Sequence, residues 1–185
     1  MYKLEEIDER HQVLDASSFV VDLGCSPGSW LQYAAKVVGP RGAVLGYDLV
    51  PPRVELGPSV KIFEADVHSL TPERLRADLW ALKPDADRSV ERPFRTLLSD
   101  MAPKTIGVRD ADQARSVGLV EMALFLASAV VEVGGSFVAK TFQGRGVDAL
   151  VLAVKKEFRE VRVQKPKATR EGSREVFIVA KSRRG

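Results

Sequence analysis

The sequence predicts a doubly wound α/β fold with a mostly parallel seven-stranded sheet. Three observations carry that expectation. Short runs rich in β-branched and aromatic residues alternate with helical patterns along the chain. The first run, VVDL at residues 20–23, breaks into the glycine loop GCSPGS. Two strand patterns then follow one another directly at the end of the chain. At 185 residues the chain is the size of one domain with a full core, and it reads as a single domain over 1–185.

Phe19–Leu23 is apolar except for Asp22, the pattern of a buried strand. In WLQYAAKVVGPRG, Leu31, Ala34, Ala35 and Val38 recur at helical spacing until Gly39 and Pro40 stop the pattern. Ala43–Asp48 and Val60–Glu64 read as the next strands. Residues 81–95, ALKPDADRSVERPFR, are polar with two prolines and read as a surface connection. Thr96–Asp100 is a fourth strand. From Asp112 to Val133, Leu119, Val120, Ala123, Leu124, Leu126, Ala127 and Val130 form the longest helical pattern, which ends at Gly134-Gly135. Ser136–Thr141 is a strand and Asp148–Phe158 a helix. Val161–Lys165 and Glu175–Ala180 close the chain as a hairpin around KPKATREGSR, which predicts an antiparallel strand at one edge of the sheet.

Composition narrows the class. No apolar stretch approaches the roughly 18 residues of a membrane span, so a soluble protein without membrane contact is expected. MYKLEEIDER lacks a signal core and Cys25 has no internal disulfide partner, which points to a reducing cytoplasm. Lys and Arg number 28 against 25 Asp and Glu, a net charge of +3. That is too mild to name nucleic acid as a partner. Lys155 to Arg184 is nonetheless strongly basic, which fits either a solvated surface or a nucleic-acid contact.

In an open parallel sheet, ligands sit at the carboxyl ends of the strands, where the loop GCSPGS falls. Gly24 and Gly28 permit close approach or positive φ, Pro27 stiffens the turn, and a helix starting near Ser29 directs N–H groups at an anion. The dinucleotide pattern G-x-G-x-x-G fails, because Ser26 and Ser29 occupy the positions after Gly24. Asp48, about 20 residues further on, suits ribose hydroxyls, and Asp66 in EADVHS lies where it could meet an adenine amino group. Asp at a strand end also forms turns, so it is their joint placement at successive strand ends that favours S-adenosylmethionine. The expected cofactor set is Asp22, Gly24, Ser26, Pro27, Gly28, Trp30, Asp48, Leu49, Asp66, Val67 and Asp100.

Six segments in order, YKLEEI, VVDLGCSPGSWLQY, YDL, LLSDMAP, GGSFVAKTFQG and SREVFIVA, make the chain resemble the FtsJ/RrmJ family of RNA ribose 2′-O-methyltransferases. The resemblance runs nearly end to end. It implies a Rossmann-like methyltransferase fold and a Lys-Asp-Lys-Glu tetrad at Lys3, Asp100, Lys140 and Glu175. It further implies methylation of a uridine in large-subunit (23S) ribosomal RNA, within the large subunit, by a monomer. Methylation of a tRNA ribose 2′-hydroxyl is the enzyme alternative, and an inactive RNA-binding assembly factor or a nicotinamide-dependent oxidoreductase are the others.

The residues suit that chemistry independently. Three charged groups stand at strand ends in otherwise apolar runs, and an uncompensated ammonium at Lys140 would be costly. A ribose hydroxyl is a weak nucleophile, so transfer needs in-line positioning and a proton acceptor. Lys140 serves as that base only when neutral; burial and Lys3 favour the neutral form, Asp100 and Glu175 the charged one. Asp100 then orients Lys140, while Lys3 and Glu175 position the ribose. The bland alternative is a structural ion-pair cluster. Cys25 reads as a packing residue, and His11 and His68 lack ligand spacing, so no metal site is expected. Family members usually carry a basic extension before the first tetrad lysine, whereas Lys3 stands two residues after Met1. Either the start is truncated, or RNA docking relies more heavily on other surfaces, for which Lys165, Lys167, Arg170 and Arg174 are the expected contacts.

Overall fold

The computed structural model describes residues 2–169 and 172–185. Its sheet grows outward from β1 (Phe19–Leu23), an apolar strand buried beyond its first residue. β2 (Ala43–Asp48) and β3 (Val60–Glu64) extend it on one side, while β4 (Phe94–Ser99), β5 (Val131–Phe142), β7 (Glu175–Arg183) and β6 (Phe158–Gln164) extend it on the other. The order β3-β2-β1-β4-β5-β7-β6 reverses direction between β1 and β4. A crevice opens at such a switch point, at the carboxyl ends of the strands.

Alternate residues of each strand feed two cores. Val20, Val44, Leu98 and Val138 face α1 (Tyr2–His11) and α2 (Ser29–Val38), meeting Leu4, Ile7, Trp30 and Leu31. Val21, Leu45, Leu97 and Phe137 face α3 (Pro72–Leu82), α4 (Arg109–Val130) and α5 (Val147–Glu157). The sheet is thus doubly wound, as the sequence predicts. By length and hydropathy α4 is the one helix among the described residues able to cross a membrane, a stretch the sequence reading does not anticipate. Its Val120, Ala123, Leu126, Ala127 and Val130 are buried against the sheet.

Three differences from expectation have physical causes. β7 is antiparallel to both β5 and β6, so the antiparallel strand lies inside the sheet and β6 takes the edge. EVFIVA is apolar enough to be covered on both faces, whereas FREVRVQ leaves four of its seven residues exposed, as an edge strand requires. The long helix also ends at Val130, and Val131 enters β5 directly, five residues before the expected start. Finally, α1 and α3 are additions. α3 had a readable signal: Thr71 caps it by accepting from the Arg74 N–H at 3.2 Å, Pro72 opens it, and Leu75, Leu79 and Leu82 follow at helical spacing.

Candidate active site

The ends of three neighbouring strands bring together charges that are distant in sequence. Asp100 directly follows β4, Lys140 lies near the end of β5, and Glu175 opens β7. Because β7 runs antiparallel, its first residue meets the end of β5: Phe142 pairs with Glu175 and Lys140 with Phe177. The Lys140 ammonium donates to the main-chain carbonyl of Asp100 at 2.6 Å. It lies 3.0 Å from Asp100 Oδ1 and 3.8 Å from Glu175 Oε1. Glu175 Oε2 in turn accepts from Lys3 Nζ at 2.8 Å, and Lys3 arrives on α1. A row of alternating sign results, Lys3–Glu175–Lys140–Asp100, with the Lys140 side chain only 9% exposed.

Burial pushes the Asp100 carboxyl above its ordinary value, aided by Glu175 and opposed by Lys140 and Lys3. For Glu175 burial acts the same way, but the Lys3 hydrogen bond and the charges of Lys140 and Lys3 prevail and hold it below the usual carboxylate value. The two acids of one cluster are thus driven apart, an arrangement found at functional sites and also in structural networks. Behind them on β1, Asp22 is fully buried, and neither carboxylate oxygen has a partner among the described residues. Burial, then the charges of Asp100 and Asp48, raise its carboxyl well above the ordinary range.

Beside the row lies a cavity of about 820 Å³. Gly24, Ser26, Asp48, Leu49, Asp66, Val67, Asp100 and Lys140 line it, so eight residues chosen from sequence converge on one space. Gly24 has φ +74°, and a Cβ there would stand 2.7–2.8 Å from Met101, so only glycine admits this approach of the loop to the wall. Asp48 accepts from the N–H groups of Ser26 and Val50, each at 2.9 Å, and thereby ties the glycine loop to the second strand. Asp66 caps the turn Val67–Ser69 through the His68 N–H at 2.9 Å. Both acids serve as turn formers while facing the cavity. Gly28, with φ +104°, precedes α2, and no side chain caps that helix.

The model of the FtsJ-like methyltransferases matches residues 1–183. The chain belongs to the FtsJ-like methyltransferase family. It is 41% identical over 185 residues to the protein named ribosomal RNA large subunit methyltransferase E of Desulfatibacillum aliphaticivorans, covering 100% of this chain and 84% of that one. The protein of the same name from Syntrophobacter fumaroxidans is 43% identical, over 97% of this chain and 85% of the other. A crystal structure of a Plasmodium falciparum ribosomal RNA methyltransferase superposes with a TM-score of 0.81 at 24% identity, over 100% of this chain and 96% of that one, and so shares the fold.

Within this FtsJ-like chain some of the residues expected at the cofactor are not in the lining of this cavity. Asp22, Pro27, Gly28 and Trp30 do not line the cavity. Trp30 is 2% exposed, in the core on the α1–α2 side, its ring 5.7 Å from that of Phe177. Cys25 is buried, and burial pushes its thiol up, against a nucleophilic role. Lys165 and Lys167 are exposed, although Lys165 Nζ donates to the Ser173 carbonyl at 2.5 Å. Arg174 lies with its guanidinium 5.6 Å from the centre of the Phe142 ring, and Arg170 falls outside the described residues. Tyr47, His68, Met101, Pro103, Lys104 and Arg115 also line the cavity and were not anticipated. The first four flank motif residues, which was a usable signal; Arg115 arrives from α4 only through tertiary packing.

Proposed function

We propose that this FtsJ-like methyltransferase methylates the ribose 2′-hydroxyl of large-subunit ribosomal RNA, at a uridine, with S-adenosylmethionine as methyl donor. The observation that carries this reading is a lysine nearly buried among two carboxylates at the wall of a cavity large enough for a nucleoside cofactor. The names of the relatives support ribosomal RNA over tRNA. The cavity suits the donor: Asp48 and Asp66 face it from successive strand ends, where ribose and adenine donors would find acceptors, and Gly24 leaves backbone at its wall. When bound, S-adenosylmethionine supplies an electrophilic methyl group on a sulfonium.

The chain's own residues do the rest. Once its ammonium has released a proton, Lys140 takes the proton of the 2′-hydroxyl as the oxygen attacks, and the ammonium so formed again rests between Asp100 and Glu175. Asp100 holds Lys140 through both its carbonyl and its carboxylate, fixing the direction of the amine. Lys3, fastened to Glu175, presents a cation at the outer end of the row for the ribose or its phosphate. The reaction belongs to the cytoplasm, on the large ribosomal subunit.

The test is transfer of labelled methyl to undermethylated large subunits, with bulk tRNA in parallel. Labelled subunits, with the label on the ribose, are expected. Label confined to tRNA would overturn the substrate, and label on a base would overturn the chemistry.

A further inference from the structure

α1 carries more than Lys3. Along the side of the helix turned to the β6–β7 hairpin, three polar residues each make one bond to it. Lys3 reaches Glu175 at the start of β7. Glu6 Oε2 accepts the main-chain N–H of Lys167 at 2.7 Å. His11 Nε2 lies 2.7 Å from Gln164 Oε1 at the end of β6. Leu4 and Ile7 are fully buried in the core, and Asp8 accepts the Val13 and Leu14 N–H groups and the Tyr33 hydroxyl. The helix is therefore held by its buried apolar residues and by Asp8 as well as by these three bonds. The loop is what needs holding: of Lys165, Pro166, Lys167 and Ala168, only Pro166 is buried, while Lys167 and Ala168 have their side chains in solvent.

We infer that Glu6 is a positioning residue for RNA: its carboxylate holds the Lys167 amide, and so sets the basic loop beside the row of charges. This rests on the proposed action on RNA. The Glu6 side chain is 20% exposed, and its hydrogen bond to the loop is charge-assisted, stronger than a neutral one. Its second contact, to Arg10 at 3.4 Å one turn away, is an exposed pair of the kind that contributes little. With the Lys167 main chain fastened to Glu6, three residues along α1 from Lys3, its side chain leaves from a fixed point of the loop, from which a phosphate can be held in register with the tetrad. Phosphate contacts set register on a nucleic acid in this way, leaving chemistry to other groups.

The experiment uses the full chain and two readouts. Amide exchange at Lys167 without RNA reports the latch itself, and steady-state methylation of undermethylated large subunits reports its use. Glu6→Ala should speed exchange at Lys167 and raise KM for the subunits about tenfold, the scale of one lost charge-assisted bond. The KM for S-adenosylmethionine, kcat at saturating subunits and the melting temperature should stay near wild type. Glu6→Gln, which keeps an acceptor oxygen, should restore both readouts, and Arg10→Ala should move neither. Unchanged exchange in Glu6→Ala overturns the latch. Faster exchange with an unmoved KM for RNA overturns the positioning role while leaving the methyltransferase reading intact. A wild type that methylates no RNA overturns that reading and the role of the latch with it.

Discussion

Lys140 sits where a lone cation would be expelled, and the two carboxylates that make it tolerable also fix where its proton can go. If it is the base, Lys140→Ala should lower methyl transfer by about 100-fold or more while the melting-temperature rise with S-adenosylmethionine survives. Loss of both would mark Lys140 as structural. Asp22 presents the opposite case, a buried acid with no ion-pair partner among the described residues. Its carboxyl lies well above the ordinary value of 3.8 because of burial and neighbouring acids. The folded chain therefore holds a proton there that the unfolded chain releases, and stability is lost as pH rises above the unfolded value. Asp22→Asn removes that titration, so its melting temperature relative to wild type should climb as pH rises above about 4. A difference independent of pH would mean that Asp22 is not the residue taking up the proton. From sequence alone Asp22 reads as a cofactor contact; its spacing is informative, but depth below the loop is a property of the packed sheet.

Elements were legible where punctuation and period agreed. β1, β2 and β3 fall at Phe19–Leu23, Ala43–Asp48 and Val60–Glu64, as the apolar runs and the glycines and prolines around them predict. α1 was hidden because its residues YKLEEIDERH are mostly charged, and Leu4 and Ile7 are its only apolar residues buried in the core. α3 carried a cap and an apolar period but stands beside a polar connection. Its cap gives a prediction: Thr71→Ala should cost about 1 kcal/mol in denaturant unfolding, without changing cofactor affinity. The glycine loop should behave differently. In Gly24→Ala a methyl must enter at 2.7–2.8 Å from Met101 on a backbone with φ +74°. Met101 lines the cavity, so the displacement falls on the cofactor wall. Stability should drop by about 1–3 kcal/mol, and the cofactor-induced thermal shift should shrink with it. A full shift on a destabilised protein would separate loop strain from binding.

For the molecule as a whole, the C-terminal strand is antiparallel as expected, and its place inside the sheet rather than at the edge is the instructive difference. Two adjacent strand patterns imply a hairpin, but not which member inserts, and that choice is made by the need of EVFIVA for cover on both faces. The inserted strand is what carries Glu175 to Lys140; with β6 beside β5 instead, the row of four charges would not assemble. Topology also divides the surface. Asp48 and Asp66 face the cavity from the β2–β3 side, while Lys165 and Lys167 stand at the hairpin beyond the tetrad. On the proposed function, donor and RNA take opposite flanks of Lys140, which a reaction joining the two requires. Charge reversal at Lys167 should then weaken RNA binding by about tenfold at low salt and flatten the dependence of affinity on salt, because one phosphate contact fewer releases fewer counterions. Cofactor affinity, measured on the same variant, should hold. Equal losses of both would mean that the hairpin supports the cavity and that the two flanks are one site, whereas an RNA loss that persists at high salt would place Lys167 in a structural rather than an electrostatic role.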